Sequence, residues 1–424
     1  MIGGPSRFIL ALGLALVVSL GITTHGWGFT VSSALASNNV VWTTPGPTSS
    51  QSMPIGNGDI GLNVWAETNG DIAFYIGKAD AWNQDVNGDQ GLMKVGGMRL
   101  SLSPSPLIAG APFQQTLKLP EGEIVIQQGY ATNQASIRIW VDANIPVIRV
   151  EVTSSNQPVT TSAKLLNWRL SGGNPDVVVS GQTNRIVWYH RNSSGANSNV
   201  ANLTFGAVIK GGSFTNASST NLVSVGAATS HTILISPLTA KTATASLWQT
   251  QLQTQLTQIE TLNLEQTRQA HQNWWQNFWN RSWVFVEGDA DATKVTQGYI
   301  LQRFITACAG RGAYPVKFNG SLFVVDNPSL SKNADTRDWG GQYWFQNTRA
   351  MYWPRLAAGD FDVMLPLFRM YADILNRNAA QVTSFYGHQG AYFMETAPFW
   401  GGLNNAGPDC PRIGRDTTSC RFSN

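Results

Sequence analysis

The sequence predicts a two-part chain, an antiparallel β-sandwich followed by a helical array, and three observations carry that prediction. Short β-rich stretches with two-residue alternation fill the span from Val40 to Pro237, among them DIAFYIG, MRLSLSP, SIRIWVDA and HTILISP. The stretch 241–283 then contains neither glycine nor proline and is rich in Ala, Leu, Gln and Glu, the residues that favour helix. From 289 onward, apolar residues recur at helical spacing between Gly- and Pro-containing loops.

The N-terminus reads as an export signal over residues 1–36. Arg7 supplies the positive flank, Phe8–Ile22 the apolar core, and Ala34-Leu35-Ala36 the small-x-small cleavage pattern, so the mature chain is expected from Ser37. The apolar run is shorter than the ~20 residues of a spanning helix. A secreted or periplasmic protein without a stable transmembrane domain is therefore expected, with an uncleaved N-terminal anchor as the alternative. Residues 37–240 are assigned to the sandwich and 241–288 to a helical linker whose WWQNFW cluster forms an inter-domain seam. Residues 289–424 form the helical domain, with helices expected over 289–311, 340–358 and 361–380.

Charge and cysteine usage remove several classes. The 28 basic and 25 acidic residues nearly cancel, and no Lys/Arg run makes a nucleic-acid footprint. No βαβ rhythm, dinucleotide fingerprint or phosphate loop appears, so no cofactor is expected. Three cysteines are too few for a disulfide scaffold. Cys410 and Cys420 either pair or stay as thiols, Cys308 is left over, and no Cys/His cluster suggests a metal.

Three segments carry candidate chemistry. In MPIGNGDIGLNVWAETNGDIAFYIGKADAW (53–82), Gly56, Gly58 and Gly61 permit tight turns. The segment is either an elaborate hairpin or a projection placing Asp80 and Trp82 against a sugar. In VKFNGSLFVVD (316–326), Asn319 is an amide able to hold a hydroxyl and a water, or else a loop cap. The following DTRDWGGQYWFQNTRAMYWPRLAAGD packs Asp335, Asp338, Trp339, Gln342, Tyr343, Trp344 and Asn347 ahead of a helix, a mixture that fits a sugar-binding cleft. In HQGAYFMETAPFWGG (388–402), Glu395 lies among Tyr392, Phe393, Phe399 and Trp400. Burial beside rings would push its carboxyl up, as a general acid for a glycosidic oxygen requires. An exposed loop glutamate is the alternative, and His388 is a candidate orienting group.

PIGNGDIGLNVW (54–65), HQNWWQNFWNRSWV (271–284), and FNGSLF followed by DWGGQYWFQNTRAMYWP together resemble the six-hairpin glycosidase superfamily. Within it they are similar to the family 95 α-L-fucosidases and their secreted relatives. The resemblance implies an N-terminal β-supersandwich, a helical linker and a partial (α/α)6 toroid, with an oligosaccharide or polysaccharide as the partner. It further implies inverting acid/base hydrolysis, with Asn319 beside Gly320 orienting water; Glu395 is the candidate acid, and Asp335 or Asp338 the candidate substitute base. Asp80, Trp82, Asp335, Trp339, Gln342, Tyr343, Trp344, Asn347, His388 and Trp400 would line the substrate. NGSLF departs from the fucosidase amide motif, so fucose specificity is not implied. The helices are too few to close a toroid, so the chain reads as a piece of a longer enzyme with apolar helix faces left open. A non-catalytic secreted carbohydrate-binding protein and a structural envelope protein are the alternatives.

Overall fold

The computed structural model describes residues 30–83 and 91–401. Two antiparallel sheets make up the first part. The nine-stranded sheet runs, in spatial order, Val40–Trp42, Phe113–Lys118, Glu123–Gln128, Ala135–Val141, Ile148–Ser154, Ser230–Lys241, Leu203–Gly211, Arg185–Arg191 and Val177–Val178. The seven-stranded sheet runs Phe214–Ser218, Asn221–Ser224, Thr160–Leu166, Leu92–Ser103, Ile72–Trp82, Ile60–Ala66 and Met53–Gly56. Alternating residues such as Ile124, Ile126, Ile137 and Ile139 point inward from the first sheet, and Leu62, Val64, Phe74 and Ile76 from the second. This is the predicted sandwich, and the helical block follows it.

Ile60–Ala66 and Ile72–Trp82 are buried on both faces rather than one. One face meets the opposing sheet. The other is covered by the loop around Leu322, which approaches so closely that a Cβ at Gly61 or Gly77 would lie 2.9 or 2.7 Å from its atoms. That second cover erases the alternation a one-sided strand would show.

Six helices are described: α1 (Val31–Ala36), α2 (Ala245–Glu260), α3 (Leu264–Arg281), α4 (Ala290–Ala309), α5 (Phe345–Ala358) and α6 (Phe361–Tyr386). The Gly/Pro-free connector forms two helices, α2 and α3. The Asn263 side chain accepts from Gln266 N–H and starts α3, just as Thr244 accepts from Leu247 N–H to start α2. Trp275 of α3 is fully buried and stacks on Phe304 of α4 at 5.1 Å, with Phe278 and Trp279 beside it. The aromatic seam thus joins both helices to the sandwich core.

Helix α5 begins at Phe345 rather than near 340, because Gly340 has a left-handed backbone and Tyr343–Trp344 is a strand. Gly359 and Gly387, both left-handed, terminate α5 and α6. The inner stripe of α6 is Val363, Leu367, Met370, Ile374 and Val382, while Phe361, Leu365 and Phe368 remain exposed, as do Trp353 and Leu356 of α5. Ala34-Leu35-Ala36 ends α1 with Leu35 buried. Residues 1–29 of the export signal, Cys410 and Cys420 lie outside the described residues. No helix among the described residues is long and apolar enough to cross a membrane.

Candidate functional site

The glycine-rich stretch seats the helical block on the sandwich. A Cβ on Gly56 would lie 2.3 Å from the Cys308 carbonyl at the end of α4, so only glycine admits that approach. Gly58 N–H donates to the same carbonyl at 3.0 Å, and Arg311 N–H returns a bond to Gly58 C=O at 3.0 Å. Asn57 accepts from Ile60 N–H and donates to Asp142 C=O, both at 2.8 Å, which fixes the turn.

Beyond this seat the chain places Lys78 between Asp59 at 2.9 Å and Asp80 at 2.7 Å. Burial works against the ammonium, but Asp80 and Asp59 hold its pKa above the ordinary value. Burial, opposed by Lys78, raises Asp59. Asp80 is therefore the partly exposed end of an ion triad rather than a lone hydroxyl acceptor. Trp82 does not project. It is buried against Tyr314, Tyr343 and Phe399, and its indole N–H donates to Ala79 C=O. This inward packing corrects its expected role as an open sugar platform.

Asp335 also changes role. It is buried; one oxygen accepts from Lys94 N–H at 2.8 Å, and the other from the Trp168 indole and from Arg169 at 2.7 Å. Arg169 pairs in addition with Asp176 at 2.8 Å. Three donors of the sandwich converge on this buried carboxylate, so Asp335 acts as a bolt between the segment before α5 and the sandwich.

Asn319 likewise spends its amide on the fold. Nδ2 donates to Asp338 C=O at 2.8 Å and Gly340 C=O at 3.0 Å, and Oδ1 is buried without a partner. The side chain shapes the 338–340 turn with its N–H groups and keeps Oδ1 as an acceptor. Asp338 itself is 63 % exposed and pairs with Lys332.

The element that assembles the site is a two-stranded ribbon, Tyr343–Trp344 paired with Thr396–Ala397. It joins the segment before α5 to the segment after α6. Phe345 N–H donates to Glu395 C=O at 2.8 Å, and Gln346 N–H donates to the Glu395 carboxylate at 2.7 Å. The carboxylate thus completes the start of α5, where Trp344 provides no side-chain cap. Glu395 is exposed, not enclosed among rings as expected. Burial and the Glu395 charge push nearby Tyr371 up to about 12.

Around the ribbon stand Trp344, half-buried and 6.2 Å from Phe318, and Trp339, edge-on to Trp344 at 5.9 Å. Phe345 and Phe393 meet Tyr371 at 5.7 and 5.5 Å. Asn347 is exposed on the first turn of α5. Tyr343 is buried under the ribbon against Trp82, Gln342 is half-buried, and Trp400 packs on Phe399. His388 lies on the exposed turn after α6, stacked on Tyr386 and bonded to Gln389 C=O. The ribbon thus brings together Trp339, Trp344, Asn347 and Glu395 and covers Trp82 and Tyr343, while Asp335 is buried against the sandwich. A cleft of about 600 Å³ adjoins this rim through Phe318 and is lined by Ser52, Asn63, Gln302, Lys317 and Met351.

Three buried basic side chains under the site were not anticipated. Lys317 donates to the carbonyls of Gly341 and Gln342 with its ammonium 4.4 Å from the Tyr343 ring centre, and burial, then Arg337, lowers its pKa well below the ordinary range. Arg337 holds Asn319 C=O at 2.5 Å and Ser321 C=O at 2.7 Å, and burial lowers it to about 10. Lys94 reaches Asn63 and Leu322 C=O, and burial lowers it to about 7. The one signal in sequence was a lysine flanked by apolar neighbours, as in VKF. Among the described residues no group of His, Cys, Asp and Glu is arranged to hold a metal ion.

A family model described as "Domain of unknown function (DUF5703)" matches residues 41–183 and 195–284. No curated protein matches the chain. Among solved structures, one described as "Putative kojibiose phosphorylase from human microbiome" superposes with a TM-score of 0.51 at 13 % identity, over 86 % of this chain and 52 % of that one. A bacterial glucoamylase complexed with acarbose superposes with a TM-score of 0.43 at 9 % identity, over 83 % of this chain and 53 % of that one. The chain spans about half the length of these structures, and the likeness to the first is one of fold.

Proposed function

The chain belongs to the family described as "Domain of unknown function (DUF5703)", and for this member we propose a role in binding and cleaving glycosidic bonds of an oligosaccharide or polysaccharide. The observation that carries this reading is the ribbon, which sets an exposed carboxylate, Glu395, at the start of α5 among Trp344, Phe345 and Phe393. A pyranose has apolar ring faces and a hydroxyl-bearing edge. Tryptophan rings match the first, and carboxylates and amides the second.

The reaction we infer is hydrolysis with inversion. Glu395, protonated in the substrate complex, gives its proton to the leaving-group oxygen. Water adds to the anomeric carbon from the opposite face and loses a proton to a second carboxylate about 6.5–9.5 Å from the first. Asp338, on the exposed Trp339 turn, is the carboxylate we assign to that role. Fucosidase specificity is not part of the proposal, and the activity is proposed for the protein in its whole length.

Non-catalytic saccharide binding is the second reading. The Gln346 N–H bond favours it, because it gives the Glu395 carboxyl a structural task at the start of α5. A panel of unactivated oligosaccharides distinguishes the two. Hydrolysis by the parent that is lost in Glu395→Gln supports catalysis. Binding without turnover in both proteins supports the second reading, and absence of both removes the saccharide assignment.

A further inference from the structure

The turn from Arg337 to Gly340 presents an indole on a backbone conformation that a bulky residue disfavours. Trp339 has φ +69° and occupies the third position of a turn closed by Gly340 N–H to Arg337 C=O at 3.3 Å. Glycine or asparagine is usual there, because a Cβ crowds the left-handed backbone. Strained residues persist where their surroundings over-determine them, and they gather at ligand clamps.

Three successive carbonyls are each held by a side chain: Asp338 C=O and Gly340 C=O by Asn319 Nδ2, and Trp339 C=O by Trp344 Nε1 at 3.1 Å. Buried Arg337 anchors Asn319 from beneath through its carbonyl. Packing does not offset the strain, since Trp339 is 68 % exposed and touches Trp344 only edge-on. The turn therefore spends its hydrogen bonds on keeping one aromatic face in solvent.

Resting on the saccharide reading above, we propose that Trp339 is a specificity-determining stacking platform for a pyranose ring beside Trp344, and that Asn319 is the positioning residue that holds it. The ring supplies apolar area to one sugar face, and the edge-on indole of Trp344 sets the angle between that face and the ribbon.

The test uses the full chain and calorimetric titration with maltotriose, xylotriose and 2′-fucosyllactose, together with thermal melting. Trp339→Gly should weaken whichever probe binds by about tenfold, because apolar contact area is lost. It should also raise Tm by about 1–3 °C, because glycine adopts the left-handed backbone without strain. Asn319→Ala should weaken binding in the parent but add no further loss in the Trp339→Gly background, a coupling that a purely structural role would not produce. Unchanged affinity in Trp339→Gly, a lowered Tm in that variant, or additive losses in the double variant overturn the platform alone. If the parent binds none of the three probes, the saccharide reading falls and the platform with it.

Discussion

Replacing Asp335 by alanine removes the acceptor that ties the segment before α5 to the sandwich. Three donors lose their partner at once: Lys94 N–H, the Trp168 indole and the Arg169 guanidinium. Burial works against the Arg169 charge, but Asp335 and Asp176 outweigh it and keep its pKa above the ordinary value. Breaking a buried pair by deleting one partner costs about 3–5 kcal/mol. The two other donors left without an acceptor add about 1–3 kcal/mol each where no water replaces the carboxylate. Arg169 retains Asp176, which limits the first term, so about 4–5 kcal/mol is the expected destabilisation. With a urea slope of about 3 kcal/mol per M, the midpoint falls by about 1.5 M. Asp335→Asn keeps the shape and one acceptor, and its loss should be about half as large. In native buffer both variants should bind saccharide as the parent does. A midpoint shift corresponding to less than about 1 kcal/mol, accompanied by lost saccharide binding, would refute the bolt and return Asp335 to the substrate.

Glu395→Gln should lower turnover of an unactivated glycoside by about 10²–10⁴-fold while sparing binding, and less so with a fluoride leaving group, which needs little protonation; steady-state rates on both substrates check this. His271 is buried and neutral, with Nδ1 accepting from Ala143 N–H at 3.1 Å and Nε2 bonded to Glu121 C=O at 2.8 Å; burial lowers it to about 4. Its unfolded value is 6.5, so the stability it contributes is complete above pH 6.5 and is lost progressively as pH falls towards 4, at most about 3 kcal/mol. Urea midpoints between pH 7 and 4 should show this slope, and His271→Gln should flatten it. Gly122→Ala should destabilise by about 3 kcal/mol or more in the same assay, because φ is +61° and the new Cβ would lie 2.0 Å from buried Trp275.

The division into sandwich and helices was legible because strand alternation and the Gly/Pro-free connector are local signals. Helix boundaries were set by single residues: Asn263 splits the connector by capping α3, and left-handed Gly340 delays α5. The site was legible as a set of segments but not as a geometry. Asp335 and Asp338 are three residues apart in similar surroundings, yet one is sealed and the other open. What separates them is Arg169 and Trp168, which only the fold brings near Asp335. Trp82 reads equally well as an open platform and as a core ring until Tyr314, Tyr343 and Phe399 are seen to cover it. Glu395 was singled out for its aromatic neighbours in sequence, but its placement depends on pairing with Tyr343–Trp344, which period and composition do not encode.

In the proposed complex, saccharide lies across the ribbon with Glu395 facing its glycosidic oxygen. A crystal structure of the chain with a bound unhydrolysed oligosaccharide, obtained with Glu395→Gln, tests it most directly. A sugar ring is expected against Trp344 and Trp339, with the residue-395 side chain about 2.6–3.2 Å from a glycosidic oxygen. A sugar seated elsewhere, such as the groove beside Thr250 and Gln253 of α2, with residue 395 still bound to Gln346 N–H and remote from the ligand, would contradict it.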